Sequence, residues 1–118
     1  MGKIISSYSN DIDKCWYDSS NVVYSECLDH DNALKEVKVV FKNGSEYTYL
    51  DVPVQDYLMF REAPSQGKAL NAIIKKYKFV KSEEKRDLEQ LNEEKEMLLE
   101  KARQALEEQN KKENTEEI

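Results

Sequence analysis

Two tyrosines and a group of lysines are the residues of this 118-residue chain whose types and spacing best suit ligand chemistry. Tyr47 and Tyr49 alternate along a predicted strand, so both rings lie on one face. A predicted helical segment follows with four lysines and two aromatic residues between them: Lys75, Lys76, Lys78 and Lys81, with Tyr77 and Phe79. Lysines contact phosphates and rings stack on bases, so the combination indicates RNA or a nucleotide as ligand. The alternative is that the tyrosines belong to the core and the lysines to a solvated helix end.

The segment Ser65-Gln66-Gly67-Lys68 opens that same predicted helix. Free backbone N–H groups, the helix dipole and Lys68 together make a candidate anion site. Asn71 lies one turn further on and is a candidate for the same site. The P-loop spacing is absent. The alternative is structural: Ser65 caps the helix, Gly67 permits a close turn and Lys68 is solvated.

Nothing in the sequence indicates an enzyme, a metal site or a cofactor. His30 is the single histidine, and no serine or cysteine nucleophile is paired with it in sequence, so we predict no catalytic residue. Cys15 and Cys27 do not form a CxxC motif, which favours two reduced, partly buried thiols over a zinc site or a disulfide.

Three strands are predicted from residue types and alternation. They cover residues 20–28, 34–41 and 46–52, with a turn at 29–32. Asn43-Gly44 between the second and third strands predicts a hairpin with a type I′ turn.

Two short helices follow the third strand. Pro53 suits a first helical turn, and an apolar stripe follows it at Val54, Tyr57, Leu58 and Phe60. The second helix is predicted over 66–78, with Leu70, Ile73, Ile74 and Tyr77 as its buried face. The predicted fold class is α+β: a small three-stranded antiparallel sheet with two short helices, followed by a long charged C-terminal helix.

Charge divides the chain into a domain and a tail. Residues 1–81 carry eleven basic and eleven acidic residues, whereas 82–118 carry seven and thirteen, which accounts for the net charge of -6. We therefore predict an N-terminal extension at 1–19, a domain at 20–81 and an acidic helical tail at 82–118. An a/d-like seam in the tail is interrupted by Lys95, which leaves open a solvated helix, a coiled coil or a dimer.

No signal peptide or membrane segment is recognisable, because the longest apolar run near the N-terminus is Ile4-Ile5. The expectation is a soluble, cytoplasmic protein with no membrane partner.

Residues 20–80 resemble the KTSC domain, named after the C-terminal extension of some lysyl-tRNA synthetases and found alone in small bacterial and phage proteins. The resemblance is carried by the segment 39–44, the YxY of Tyr47-Thr48-Tyr49 and the Val52-Pro53 step. It continues through Tyr57, Phe60, Ser65-Gln66-Gly67-Lys68, Asn71, Ile74 and Tyr77. It implies a domain of largely unknown activity, suggested to bind RNA.

Two functions remain as expectations. The first is a non-enzymatic module that binds the phosphates of RNA or a nucleotide. Ser65, Gly67 and Lys68 would capture the anion, Lys75 and Lys76 would extend the site, and Tyr47 or Tyr49 would contact bases. The second is a protein-interaction adaptor, or a small phage-type accessory or inhibitor protein, that docks on a host or partner protein through the sheet domain or the tail helix.

Overall fold

A computed structural model describes residues 2–28 and 34–116, with side chains to residue 109. The strands are β1 (Gly2–Ser9), β2 (Ile12–Asp18), β3 (Val22–Leu28), β4 (Leu34–Phe41), β5 (Glu46–Pro53) and β6 (Phe79–Lys81). The helices are α1 (Val54–Glu62), α2 (Gln66–Ala69), which continues as a π-helical turn Leu70–Ile74, and α3 (Leu88–Glu116). The strands form one antiparallel sheet in the order β1-β2-β3-β4-β5-β6. Two compact units are present, Met1–Leu88 and Glu89–Ile118.

The predicted three-stranded sheet is wrong, because the sheet has six strands, although the α+β class and the C-terminal helix are confirmed. The three predicted strands correspond to β3, β4 and β5. The missed strands β1 and β2 arise from residues that we predicted to be an extension. Asn10 and Asp11 join them with φ angles of 51° and 62°, the left-handed pair that a two-residue hairpin turn requires.

The hairpin between β4 and β5 is present, but its turn is not type I′. Gly44 alone takes a left-handed φ, 88°, while Asn43 does not. The Gly44 N–H donates to the Phe41 carbonyl and the Phe41 N–H donates to the Ser45 carbonyl, both at 2.9 Å. The Asn43 side chain accepts from the Ser45 N–H at 2.9 Å. This is the three-residue loop in which a turn is followed by a left-handed glycine.

The second predicted helix ends earlier than residue 78. The Lys75 N–H donates to the Leu70 carbonyl five residues back, at 2.9 Å, which widens the last turn to a π turn. Two residues later the Tyr77 N–H donates to the Ile74 carbonyl, and the chain then enters β6. The wrong prediction extended helical periodicity through a segment that leaves the helix to pair with β5.

The hydrophobic core lies between α1, α2 and one face of the sheet. Tyr57 and Phe60 of α1 are buried, as are Leu70 and Ile74 after α2, whereas the predicted stripe residues Val54 and Leu58 are exposed. The strands supply the rest of this core: Cys15, Tyr17, Val22, Cys27, Val37, Val39, Tyr49 and Val52. Cross-strand register places these side chains on the helix-covered face.

A chain of polar groups crosses the same interface and fixes α1 on the sheet. The Tyr17 and Ser25 hydroxyls lie 2.7 Å apart, and the Ser25 hydroxyl lies 3.2 Å from that of Tyr57. The Tyr57 hydroxyl donates to Asp13 at 2.8 Å, and Arg61 donates to both oxygens of Asp13 at 3.1 Å. Every member has a partner, so these buried polar groups are satisfied.

The segment that follows β6 is held on the opposite face of the sheet by Arg86. Its guanidinium donates to Glu26 at 2.7 Å and to Glu46 at 2.9 Å, and lies 5.4 Å from the centre of the Tyr24 ring. Its backbone N–H donates to the Gly44 carbonyl at 2.8 Å. Residues 82–88 therefore belong structurally to the sheet, although the helix was predicted to begin at Ser82.

Helix α3 begins at Leu88 and carries its own ion pairs. Arg103 donates to Glu107, four residues further along the helix, at 2.7 Å. It also forms an ion pair with Glu100, three residues before it. Met97 and Leu106 are exposed. Among the described residues, no helix combines the length and the apolar character needed to cross a membrane. The turn predicted at 29–32 lies outside the described residues.

Candidate ligand-binding cleft

A concave cleft of about 760 Å³ opens beside α2, between the ends of β3, β4, β5 and β6. Its lining comes from five places in the chain: the β2–β3 turn, the β4–β5 hairpin, strand β5, the α2 region and β6. The lining residues are Ser20, Asn21, Phe41, Lys42, Asn43, Ser45, Tyr47, Tyr49, Gly67, Leu70, Asn71, Lys75, Phe79 and Lys81. The topology thus brings together side chains that are up to about 60 residues apart in sequence.

Aromatic rings form one side of the cleft. The Tyr47 and Tyr49 rings stack with centroids 6.5 Å apart, as alternate residues of β5. Phe79 of the neighbouring strand lies 5.4 Å from Tyr47 and 5.8 Å from Tyr49. Phe41 meets the edge of Tyr47 at 5.5 Å. Tyr49 is buried, which raises the pKa of its hydroxyl and keeps it neutral at physiological pH.

Three lysines surround these rings. The Lys81 ammonium lies 5.7 Å from the centre of the Tyr47 ring, in the range of a cation–π interaction. Lys42 and Lys75 are exposed, and neither makes an ion pair within residues 2–28 and 34–109. Of the described residues that line the cleft, none carries a carboxylate. The cleft is therefore a locally cationic surface in a chain whose net charge is -6.

Amide side chains supply the other polar groups. Gly67 allows α2 to approach the β2–β3 turn, since a Cβ there would meet the Asn21 Nδ2 atom at 3.2 Å. Asn71 is exposed on the α2 side of the cleft, and in the described part of the chain its amide has no hydrogen-bond partner. Asn21 and Asn71 thus present donors and acceptors beside the rings and the lysines.

Five of the eight sequence-predicted site residues line this cleft: Tyr47, Tyr49, Gly67, Asn71 and Lys75. The structure separates the other three from it. The Ser65 hydroxyl accepts the Lys68 N–H at 3.4 Å, so it acts as a helix cap, and the Lys68 side chain is exposed. Lys76 lies 3.6 Å from Asp56 of α1, which also accepts a hydrogen bond from Tyr77.

Sequence reasoning missed several lining residues, most importantly Lys42. Lys42 could have been found, because it precedes the hairpin turn that leads directly into Tyr47. Phe79 and Lys81 were noted in the run of lysines and aromatic residues after Lys75, but they were not placed in the predicted site. Their position in the cleft comes from the pairing of β6 with β5, which places Phe79 opposite Tyr49 and Lys81 opposite Tyr47.

The described residues give the cleft no thiol and no metal cluster. Cys15 and Cys27 are buried free thiols away from the cleft, and burial raises the pKa of Cys15 to about 11, so its nucleophilic thiolate form is disfavoured. Within residues 2–28 and 34–109, no three or more histidine, cysteine or acidic side chains cluster in a way that could hold a metal ion. Rings, lysines and amides remain, a set suited to an anion that carries an aromatic or apolar part.

Comparison with known proteins places this architecture in a family. The model of the KTSC domain matches residues 18–79, which is more than half of the chain and extends from the end of β2 to the start of β6. No curated protein and no solved structure gives a significant match. By this match over strands β3–β5 and the first two helices, the chain belongs to the KTSC domain family.

Proposed function

We propose that this protein is a non-enzymatic binding module for a phosphate-bearing ligand, RNA or a nucleotide, and that the cleft is its binding site. One observation carries the proposal: Lys42, Lys75 and Lys81 line the same cleft as an aromatic cluster, and the described lining of that cleft contains no carboxylate. Cations without acidic partners attract phosphate, and the rings offer a surface for bases.

The proposed mechanism differs from the one predicted from sequence. Anion capture by Ser65, Gly67 and Lys68 remains a prediction, but α2 is only four residues long before the π turn, and Ser65 is engaged as its cap. The cleft instead supports phosphate contacts by Lys42 and Lys75, which line it. A cytoplasmic location remains part of the proposal.

The test is fluorescence anisotropy of a labelled single-stranded RNA with the full chain, at low and moderate salt. The variant is Lys42→Glu with Lys75→Glu, and the control is Lys68→Glu with Lys78→Glu, an identical change of charge at exposed lysines outside the cleft. We expect the first pair to lower affinity about tenfold or more and to flatten the salt slope by about 0.7 per lost contact.

The control pair decides between mechanisms. We expect it to reduce affinity only slightly, through long-range charge. An equal loss in both pairs would mean that general electrostatics holds the RNA, and a loss confined to the control pair would favour the site at Ser65 and Lys68. Unchanged affinity in both pairs would remove the proposed function.

A second candidate, a protein-interaction adaptor, is favoured by a different observation. Helix α3 exposes Met97 and Leu106 on a strongly acidic surface, and α1 exposes Leu58 and Met59. In this candidate the helix docks on a partner protein or pairs with a second copy as a coiled coil. Sedimentation of the full chain tests the second case, since a coiled coil would give a concentration-dependent dimer.

A further inference from the structure

We propose that Phe79 is the residue on which a base stacks, and that the ligand therefore presents an unpaired base, as single-stranded RNA does. This inference rests on the proposed function and names the substrate class of the same cleft. Phe79 was not among the site residues predicted from sequence, although it lies in the run of lysines and aromatic residues from Lys75 to Lys81. Three features of the described structure carry the inference: ring exposure, the edge position of β6 and the arrangement of the lysines.

Exposure separates Phe79 from the two tyrosines. Tyr49 is only 3% exposed and belongs to the core, so its ring offers no free face. Tyr47 is half-buried, and one side of its ring is occupied by the Lys81 ammonium. Phe79 is 54% exposed, yet its ring is supported by contacts with both tyrosines. A large exposed aromatic side chain that is held in place by other rings is a preformed stacking surface.

The backbone beside this ring is unpaired on its outer side. The Leu50 N–H donates to the Lys78 carbonyl at 2.8 Å, and the Ser82 N–H donates to the Glu46 carbonyl at 2.9 Å. In an antiparallel pair, the backbone N–H and C=O groups of successive residues point alternately toward the partner strand and away from it. The backbone groups of Val80 therefore point toward β5, and those of Phe79 and Lys81 point away from it. Because β6 is the last strand of the sheet in the described part of the chain, these groups form a free edge there.

Ring and edge together match the chemistry of a nucleobase. A base stacked on Phe79 would bring its hydrogen-bonding edge towards backbone donors and acceptors of the same strand. Lys75 and Lys81 lie in the same cleft and would meet the flanking phosphates. A base inside a duplex has both faces covered by its neighbours, so only an unpaired base can use this arrangement.

The first experiment compares variants of the full chain by anisotropy with a fluorescein-labelled six-nucleotide RNA. Phe79→Leu removes the aromatic face but keeps an apolar side chain, and Phe79→Trp keeps the aromatic face. The control is Val80→Leu, because Val80 is equally exposed, at 59%, but projects from the opposite face of β6. We expect Phe79→Leu to weaken binding about tenfold, and Phe79→Trp and the control to bind as the natural chain does.

The second experiment reports stacking directly. Phe79→Trp introduces an indole at the proposed contact, whereas the natural Trp16 is buried. We expect the six-nucleotide RNA to quench the added emission, tripolyphosphate to leave it unchanged, and a Val80→Trp control to show no quenching. A blunt duplex that contains the same sequence should bind more weakly and quench little.

The outcomes separate this inference from the proposed function. If Phe79→Leu binds like the natural chain while Lys42→Glu with Lys75→Glu abolishes binding, the cleft holds phosphate but Phe79 stacks no base, and the inference is overturned. Equal binding of the duplex would overturn it as well. Failure of every RNA probe to bind would instead remove the proposed function on which it rests.

Discussion

Arg86 shows how one side chain outside the predicted domain completes the fold. It neutralises Glu26 and Glu46 on the face of the sheet opposite the cleft. Burial raises the pKa of Glu26, but hydrogen bonds from Arg86 and Tyr24 outweigh this and hold the pKa below its ordinary value of 4.5. The ion pair is largely shielded from water, so removing one partner leaves the other with an uncompensated charge.

We expect Arg86→Gln to lower the free energy of unfolding by about 2 kcal/mol at pH 7, measured by urea denaturation. Because the pKa of Glu26 is depressed in the folded state, this contribution is present above the unfolded pKa and is lost as the pH falls through the folded pKa. The difference in unfolding free energy between Arg86→Gln and the natural chain should therefore become smaller as the pH is lowered. A deficit that does not change with pH would contradict the role given to Glu26.

Substitution of Tyr57 tests the chain of hydrogen-bonded polar groups between α1 and the sheet. Its hydroxyl donates to Asp13 and meets Ser25, and burial raises its pKa, so it stays a neutral donor. We expect Tyr57→Phe to destabilise the fold by about 1–3 kcal/mol in thermal or chemical unfolding, since a hydrogen bond to a charged group is lost. Tyr77→Phe removes a hydrogen bond to Asp56 at a less buried site, and should cost less.

At the scale of elements, the hairpin β4–β5 contributes to the rim of the cleft and is held from behind by residues 85 and 86. Gly44 has a left-handed φ, and a Cβ there would meet the Arg86 carbonyl and the Lys85 Cβ at 3.3 Å. We expect Gly44→Ala to cost about 1–2 kcal/mol in unfolding free energy, from strain and crowding together.

Gly67→Ala is the matched comparison. Gly67 has no left-handed φ, and its close neighbour is the Asn21 side chain, which can move. Alanine is also the better helix former by about 1 kcal/mol. A loss of stability at Gly67 as large as that at Gly44 would show that α2 is packed more tightly against the β2–β3 turn than its side-chain contact indicates.

The elements that could be predicted are those with strong local patterns. Tyr47 and Tyr49 alternate with Thr48 and Leu50, Pro53 immediately precedes α1, and the glycine of Asn43-Gly44 marks a turn, so β5 and its neighbours were found. Strand β1 was missed because it is an edge strand, largely exposed, with no apolar alternation. The Asn10-Asp11 turn was its available signal.

The cleft could be predicted only in part, because local patterns reveal some of its elements and long-range strand pairing supplies the others. Tyr47, Tyr49, Gly67, Asn71 and Lys75 come from elements that local patterns reveal. Lys81 and Phe79 depend on β6, a three-residue strand that exists because the chain returns to pair with β5. Long-range pairing of so short a strand leaves no periodicity in the sequence.

At the scale of the whole molecule, the two units differ in charge. The unit Met1–Leu88 carries thirteen basic and fourteen acidic residues, and Glu89–Ile118 carries five and ten, so removal of the second unit brings the net charge close to zero. We expect a chain that ends at Leu88 to bind single-stranded RNA more tightly than the full chain at low salt, because repulsion of the polyanion falls. The difference in RNA affinity between the two chains should become smaller as added salt screens the electrostatic repulsion.

A chain that ends at Lys81 is the necessary comparison, since it also loses Arg86. We expect it to unfold at a lower temperature than the chain that ends at Leu88, because Glu26 and Glu46 lose their partner. If the two truncated chains unfold at the same temperature by circular dichroism, residues 82–88 do not stabilise the sheet as described.

The measurement that tests the central claim most directly is a titration of isotope-labelled full-length protein with single-stranded RNA, followed by ¹H–¹⁵N correlation spectra. The account predicts saturable shifts at the amides of Asn21, Gly67, Asn71, Phe79 and Lys81, which come from separate segments but meet in one cleft. Shifts confined to Glu89–Glu116, or spread over the surface without saturation, would contradict it.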